Sequence, residues 1–233
     1  MSQQPESPTT MQRIAPRWHT MCVVSVIIGL GLAGRAAMAR QPTLENASHI
    51  HTHLFGLAVQ WGLLVFILVG LRRRAIRARQ LMDDAQWTVR RLGGYLLLAI
   101  AAGVVWAICQ NLLGALLNAG PEQIRRILQA FMPHGVLEKA LWLLLALSAG
   151  FCEEPIYRGY LLRQFRCWTG SSPLAIAFQA ILFGIAHAVM SWQMVVTSAC
   201  YGLLLGSLAA WRRSLVPGML LHTGFDLLLL GVR

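Results

Sequence analysis

Seven apolar segments of membrane-spanning length dominate this sequence. A helix needs about 17–25 mostly apolar residues to cross the hydrocarbon core of a bilayer. The chain is 56% hydrophobic and only 12% charged, whereas about 25% of the residues in a typical soluble domain are charged. The sequence therefore predicts an all-α polytopic membrane protein with about seven transmembrane helices, near residues 21–39, 54–71, 92–117, 137–154, 173–191, 193–211 and 216–230.

The basic residues predict how these helices are oriented. The net charge of +11 does not indicate a nucleic-acid partner, because Lys and Arg cluster at the ends of the apolar segments. Fourteen of the 20 Lys and Arg residues fall on one side of the predicted helices, which is the bias expected of cytoplasmic loops. We therefore expect an integral protein of a bacterial inner (plasma) membrane, with membrane lipid as a partner and a cytoplasmic amino terminus.

Three regions follow one another along the chain. Residues 1–20 are polar and proline-containing, and we expect a flexible cytoplasmic tail. Residues 21–136 are expected to hold the first transmembrane helices and an amphipathic segment, and residues 137–230 the functional core. The first apolar segment ends in small residues that resemble a signal-peptidase site, but Arg35 favours an uncleaved anchor. His49, His51 and His53 are expected to be polar residues at the membrane interface.

Polar side chains are sparse between residues 150 and 230, and three short clusters stand out there. Ionisable groups within membrane-spanning segments are costly, so by default they indicate a functional site. Each cluster contains residues spaced four or five positions apart, which keeps such a pair near one helical face. The clusters are Glu153-Glu154 with Arg158, Phe183-x-x-x-His187, and His222-x-x-x-Asp226.

Each cluster also has a purely structural interpretation. Glu154 and Arg158 have the spacing of a helical ion pair. A lone His187 is typical of a hydrogen-bonded core histidine, and His222 and Asp226 could simply bond each other along one helix. Taken together, these ionisable groups at compatible depths favour a site over separate structural contacts.

The spacing along the chain predicts that the clusters meet. If residues 137–168 form one long helix that turns near residues 168–173, Glu153 lies 17 residues before Gly170 and His187 lies 17 residues after it. In an antiparallel hairpin the two side chains would then share one depth. His222 and Asp226 would lie roughly 8 and 14 Å into the last helix. These depths agree if the turn protrudes about 8–10 Å into the cytoplasm, which places the site in the cytoplasmic half of the membrane.

These three motifs, in this order, resemble those of the CPBP family of intramembrane proteases, which includes the CAAX prenyl endopeptidases and bacteriocin-processing proteases. The motif residues are Glu-Glu-x-x-Tyr-Arg-Gly at 153–159, Phe-x-x-x-His at 183–187 and His-x-x-x-Asp at 222–226. The resemblance covers residues 137–230 and makes residues 21–136 the variable amino-terminal part. It implies an all-helical intramembrane endopeptidase that cleaves a membrane-associated peptide, either prenylated or of the leader type.

The resemblance also implies a role for each motif residue. Glu153 would be the general base that activates water, and His187 would assist it. His222 and Asp226 would stabilise the oxyanion, although some family members have Asn at the second position and an Asp donates a hydrogen bond only when protonated. Glu154, held by Arg158, and Phe183 would support the site.

Two matters stay open at the level of sequence. The first is a metal: Glu153, His187, His222 and Asp226 are plausible zinc ligands, but no His-Glu-x-x-His motif is present, so the cofactor is either zinc or none. The second is activity. A catalytically silent member of the fold, acting as an immunity or binding protein, is one alternative, and a small proton-coupled transporter is another. Intact motif residues argue against the first, and the lack of internal pseudo-symmetry argues against the second.

Overall fold

The structure is a computed structural model of the whole chain. It describes residues 14–40, 49–82, 88–119, 121–129 and 131–231. Most of the predicted flexible tail therefore lies outside the described residues. The described part of the chain is helical and contains no strand, as the hydropathy pattern predicts.

Ten α-helices and one π-helical segment make up the described part of the chain. In chain order, the α-helices are α1 (Arg17–Arg40), α2 (Ile50–Arg72), α3 (Arg79–Met82), α4 (Val89–Leu116), α5 (Pro121–Gln129), α6 (Val136–Glu154), α7 (Leu162–Thr169), α8 (Ser172–Ala186), α9 (Trp192–Arg212) and α10 (Val216–Leu229). The π-helical segment, Pro155–Leu161, joins α6 directly to α7.

Each of the seven predicted apolar segments forms a helix, but not all of these helices have full spanning length. Among the described residues, four helices are long and apolar enough to cross a membrane: α1, α2, α4 and α9. Helices α8 and α10 are apolar but shorter, and α6 carries charged residues at both ends. The protein is therefore an all-α integral membrane protein.

The surface of the long helices is suited to lipid. Large apolar side chains point outward along α4, including Leu97 at 70% exposure and Leu112 at 61%. Less than a quarter of the most apolar stretch of α1, α2 or α4 is buried inside the protein. In water such surfaces would be an aggregation hazard, whereas acyl chains cover them at no cost.

The π-helical segment is the most enclosed part of the chain. All seven of its residues are buried, and it packs against α2, α3, α8 and α9. Its first residue, Pro155, has no N–H and would crowd the carbonyl of residue 151 in a regular α-helix. A wider turn relieves such crowding, and π-helical turns occur frequently at functional sites. The predicted helix over residues 137–168 is thus helical throughout but changes its winding directly after the two glutamates.

The motifs lie at the ends of α6 and α8 and in the middle of α10. Helix α6 packs against α2 and α10, while α8 forms an antiparallel hairpin with α9 and also contacts α1 and α7. The predicted turn between α7 and α8 is present, with Gly170 in the left-handed region at φ +66°, where glycine is favoured because it lacks a Cβ. This arrangement brings the end of α6, the end of α8 and the middle of α10 together.

Helix α8 is shorter than the sequence predicts. The apolar segment runs to residue 191, but the helix ends at Ala186 and a turn follows. Ser191 then begins α9, since its hydroxyl accepts a hydrogen bond from the Met194 N–H at 3.1 Å. His187 therefore lies at the end of a helix and not within one.

Candidate active site

Four predicted site residues line one cavity of about 190 Å³. Glu153 reaches it from the end of α6, His187 from the residue after α8, and His222 and Asp226 from α10. Most of the remaining wall is aromatic or aliphatic and includes Trp106, Trp142, Tyr201 and Phe225. A mostly apolar cavity with a few convergent polar groups is the usual form of a binding or active site.

The two adjacent glutamates have different environments. The Glu153 side chain is 18% exposed and faces the cavity, whereas the Glu154 side chain is fully buried. Successive residues of a helix point in directions about 100° apart, so two neighbours cannot share one environment. Only Glu153 is accessible to a molecule in the cavity.

Glu154 is held by two partners. Nη1 of Arg158 donates to Oε1 of Glu154 at 2.9 Å, so the predicted ion pair is present. His222 Nδ1 lies 3.0 Å from the same oxygen. Because a carboxylate oxygen only accepts, Nδ1 carries the hydrogen of this bond. Glu154 therefore links α10 to the π-helical segment.

Phe183 supports Arg158 by stacking. The guanidinium carbon lies 4.4 Å from the centre of the Phe183 ring and 5.6 Å from that of Tyr157. A cation over an aromatic face is attracted by the ring's quadrupole. Phe183 also contacts the rings of His187 and His222, with centroids 4.7 and 5.6 Å apart. The aromatic residue of the Phe-x-x-x-His motif is therefore in contact with all three of these polar groups.

His187 is oriented by its own helix. Its Nδ1 lies 2.8 Å from the carbonyl oxygen of Phe183, which must accept, so Nδ1 carries the proton. In the neutral ring Nε2 is then an acceptor. The hydrogen bond uses a carbonyl that the end of α8 leaves without a helical partner.

His222 and Asp226 lie close to each other without a hydrogen bond. The Nε2 atom of His222 is 3.7 Å from Oδ2 of Asp226 and 3.9 Å from Oε2 of Glu153. Both separations exceed a hydrogen-bond length. Nε2 of His222 therefore lies near two carboxylates without a hydrogen bond to either of them.

Gln60, which the sequence did not single out, also contacts the site. Its Nε2 donates to Oε1 of Glu153 at 2.8 Å. Gln60 belongs to α2, far from the motif residues in sequence. No local spacing or motif could have identified it, because the contact depends on how α2 packs against α6.

The structure offers no preformed metal centre among its described residues. These contain no group of three or more His, Cys, Asp or Glu side chains placed to hold a metal ion, and the four candidate zinc ligands are all described. The four candidate ligands therefore do not form a preformed zinc site in this arrangement, and the choice between zinc and no cofactor is a question for metal analysis.

The amino-terminal histidines lie in a separate cluster. His49 and His53 are buried, His51 is exposed, and the backbone N–H of His49 donates to Glu138 at 3.0 Å. Burial lowers the pKa of His49. The His49 and His134 rings approach to 5.8 Å. These residues connect the start of α2 to the start of α6.

Comparison with known proteins finds a similarity in the carboxyl-terminal part of the chain. Residues 135–228 match the family model of the type II CAAX prenyl endopeptidase Rce1-like proteins. The match covers less than half of the chain but includes every motif residue from Glu153 to Asp226. No curated protein and no solved structure matches the chain significantly.

Proposed function

We propose that this protein is an intramembrane endopeptidase that uses a water molecule activated by Glu153. The match of residues 135–228 to the type II CAAX prenyl endopeptidase Rce1-like family model supports this proposal. The proposed substrate is a membrane-associated peptide, of the prenylated or the leader type. The observation that carries the proposal is the convergence of Glu153, His187, His222 and Asp226 on one cavity.

Glu153 is proposed as the general base. It is the cavity-facing member of the glutamate pair, and Gln60 fixes one of its oxygens. A water bound to the carboxylate transfers a proton to Glu153 while its oxygen attacks the peptide carbonyl. The same proton then passes to the leaving amine as the C–N bond breaks.

The two histidines are proposed to act on either side of this water. His187 has its Nδ1 committed to the Phe183 carbonyl, so its Nε2 accepts a hydrogen bond from the attacking water. His222 has its Nδ1 committed to Glu154. When its ring carries both protons, Nε2 donates to the oxyanion that forms on the carbonyl.

Asp226 is proposed to act beside His222. Its carboxyl group lies 3.7 Å from His222 Nε2. In the ionised form it only accepts, and would orient His222; in the protonated form it donates to the oxyanion. Glu154 and Arg158 are positioning residues, because Glu154 is fully buried and acts on the reaction only through His222.

The proposal is tested by following cleavage of defined peptides by the purified protein in liposomes. A farnesylated CAAX peptide, its unmodified counterpart and a leader-type peptide are compared, and mass spectrometry identifies the bond that is cut. We expect cleavage of a membrane-bound peptide by wild-type protein and none by Glu153→Gln, which excludes a contaminating protease. Binding of these peptides without cleavage of any of them would contradict the proposal and favour a catalytically silent binding protein.

A further inference from the structure

A second cavity, of about 410 Å³, lies beside the candidate active site and is strongly basic. Four arginines line it: Arg158, Arg163, Arg166 and Arg213. The described residues of its lining include no acidic side chain. The cavity is bounded by α3, by the π-helical segment and α7, by the start of α8, and by the end of α9 with its connection to α10. It is separate from the cavity that the catalytic candidates line.

Arg158 connects this cavity to the catalytic cluster and has unused hydrogen-bond donors. Its side chain is fully buried, and only Nη1 is used in the pair with Glu154. Nε and Nη2 have no hydrogen-bond partner among the described residues. The stacked Phe183 ring attracts the charge but offers no lone pair. Buried donors without acceptors cost free energy, so a ligand that supplies acceptor oxygens here would be stabilised.

The walls of the basic cavity are fixed by hydrogen bonds. Nη1 of Arg163 donates to the Gln80 carbonyl at 2.6 Å, which ties α7 to α3. The Leu215 N–H donates to the Met82 carbonyl at 2.9 Å, which ties α3 to the start of α10. The site is therefore largely formed before any ligand binds, and little ordering has to accompany binding.

Arg166 and Arg213 complete the cavity at its exposed edge. Neither takes part in an ion pair among the described residues. Arg213 ends α9 in the left-handed region, at φ +52°, where a non-glycine residue is uncommon. Exposed arginines alone would reflect the ordinary charge bias of membrane proteins, but that bias does not place a buried arginine with unused donors behind them.

We propose that this basic cavity binds a phosphate group, carried either by an anionic phospholipid or by a small solute. The planar guanidinium presents paired N–H donors that match phosphate oxygens. The apolar part of the wall, which includes Leu81, Leu162 and Ile176, suits the start of a lipid chain. Arg166 and Arg213 do not line the catalytic cavity, so binding at the exposed edge can be tested apart from the proposed proteolysis.

The proposal is tested by thermal unfolding of the full-length protein, since a ligand that binds only the folded state raises the unfolding midpoint. The detergent-solubilised protein is titrated with inorganic phosphate and, at equal ionic strength, with chloride. The second arm uses phosphatidylcholine vesicles with and without phosphatidylglycerol. For the wild type, we expect a higher unfolding midpoint in phosphate than in chloride, or a higher midpoint with phosphatidylglycerol than with phosphatidylcholine alone.

The decisive comparison is between two double variants of equal charge. Arg166→Gln/Arg213→Asn alters the cavity, and Asn tolerates the left-handed backbone. Arg73→Gln/Arg212→Gln removes two exposed arginines that do not line the cavity. We expect the cavity variant to bind phosphate about tenfold or more weakly, because hydrogen bonds between charged groups are lost, and the control variant to bind like the wild type.

Each outcome is informative. A response to both ligands indicates recognition of phosphate itself, and a response to phosphatidylglycerol alone identifies the lipid as its source. The proposal would be overturned if the ligands raised the unfolding midpoints of the cavity and control variants equally. It would also be overturned if the midpoint of the wild type were the same in phosphate as in chloride and the same with as without phosphatidylglycerol. If the double cavity variant does not fold, Arg166→Gln alone is compared with Arg212→Gln in the same way.

Discussion

At the scale of single residues, Glu153 and Glu154 are chemically identical but occupy different positions in the structure. Glu154 satisfies a buried arginine and a histidine, and Glu153 faces the cavity. Removal of one partner from a buried charge pair leaves the other charge uncompensated, which is more destabilising than loss of a surface pair. The two glutamates should therefore respond differently to substitution.

We predict that Glu154→Ala lowers the free energy of unfolding by about 3–5 kcal/mol, because it strands the buried Arg158. Glu153→Ala, the matched control at the neighbouring position, should change stability far less while lowering the cleavage rate about 10²–10⁴-fold. Chemical or thermal unfolding in detergent measures both. Equal stability of the two variants would show that Glu154 does not have the structural role assigned to it.

Gln60 offers a second residue-scale test, because it acts on Glu153 from outside the segment that matches the family. We predict that Gln60→Leu lowers kcat about tenfold or more, since a hydrogen bond to a charged group is worth about 1.5–3 kcal/mol, with little change in KM or in folding. Gln110 lines the same cavity from α4, so Gln110→Leu is the control. A Gln60→Leu enzyme with wild-type kcat would exclude Gln60 as a positioning residue.

At the scale of helices, the sequence predicted the existence of the elements better than their internal geometry. Hydropathy located seven helices, because a long apolar run in a membrane has few alternatives to a helix. It did not reveal the π-helical segment after Glu154, although Pro155 was a local signal of irregular winding. It also extended α8 past its end, because residues 187–191 are apolar enough to continue a helix. Ser191, a favoured helix N-cap, was the signal for the break.

The contact between α6 and α10 sets the distance from Glu154 to His222. Gly150 lies at this contact, and a Cβ added there would collide with the Thr223 side chain and lie 2.8 Å from the Met219 carbonyl oxygen. We predict that Gly150→Ala separates the helices and lowers both activity and the unfolding midpoint. Small residues at such interfaces allow close approach of backbones.

Gly224→Ala provides the matched control for this prediction. Gly224 lies in α10, and an added Cβ would meet no atom within 4 Å. Alanine has a higher helix propensity than glycine, so this variant should be as stable as the wild type or more so. If Gly150→Ala and Gly224→Ala had the same activity, close packing of α6 on α10 would not be needed for the site.

At the scale of the whole molecule, the sequence predicted which part of the chain carries the chemistry but not how the rest contributes to it. The motif residues could be related to each other through helix spacing and the turn at Gly170. Gln60, Trp106 and the basic cavity could not, because they depend on packing between helices that are distant in sequence. That packing is what joins α2 and α4, outside the matched segment, to the wall of the candidate site.

The orientation of the molecule in the membrane is a separate prediction. We expect the segment after α2 to be cytoplasmic and the start of α2 to lie outside, because basic residues favour the cytoplasmic side. In a cysteine-free background, Arg74→Cys should resist a membrane-impermeant maleimide in intact cells, and His51→Cys should react. Both positions are exposed in the structure. The reverse labelling pattern would contradict the predicted orientation.

The most direct test of the central claim is the rate at which three single variants cleave a membrane-bound peptide. Glu153→Ala, His187→Ala and His222→Ala are compared with the wild type in liposomes, with circular dichroism to confirm helical content. Groups that transfer protons in a transition state typically contribute about 10²–10⁴-fold to the rate. We predict losses of this order in all three folded variants. Cleavage at the wild-type rate by all three would contradict the proposed active site.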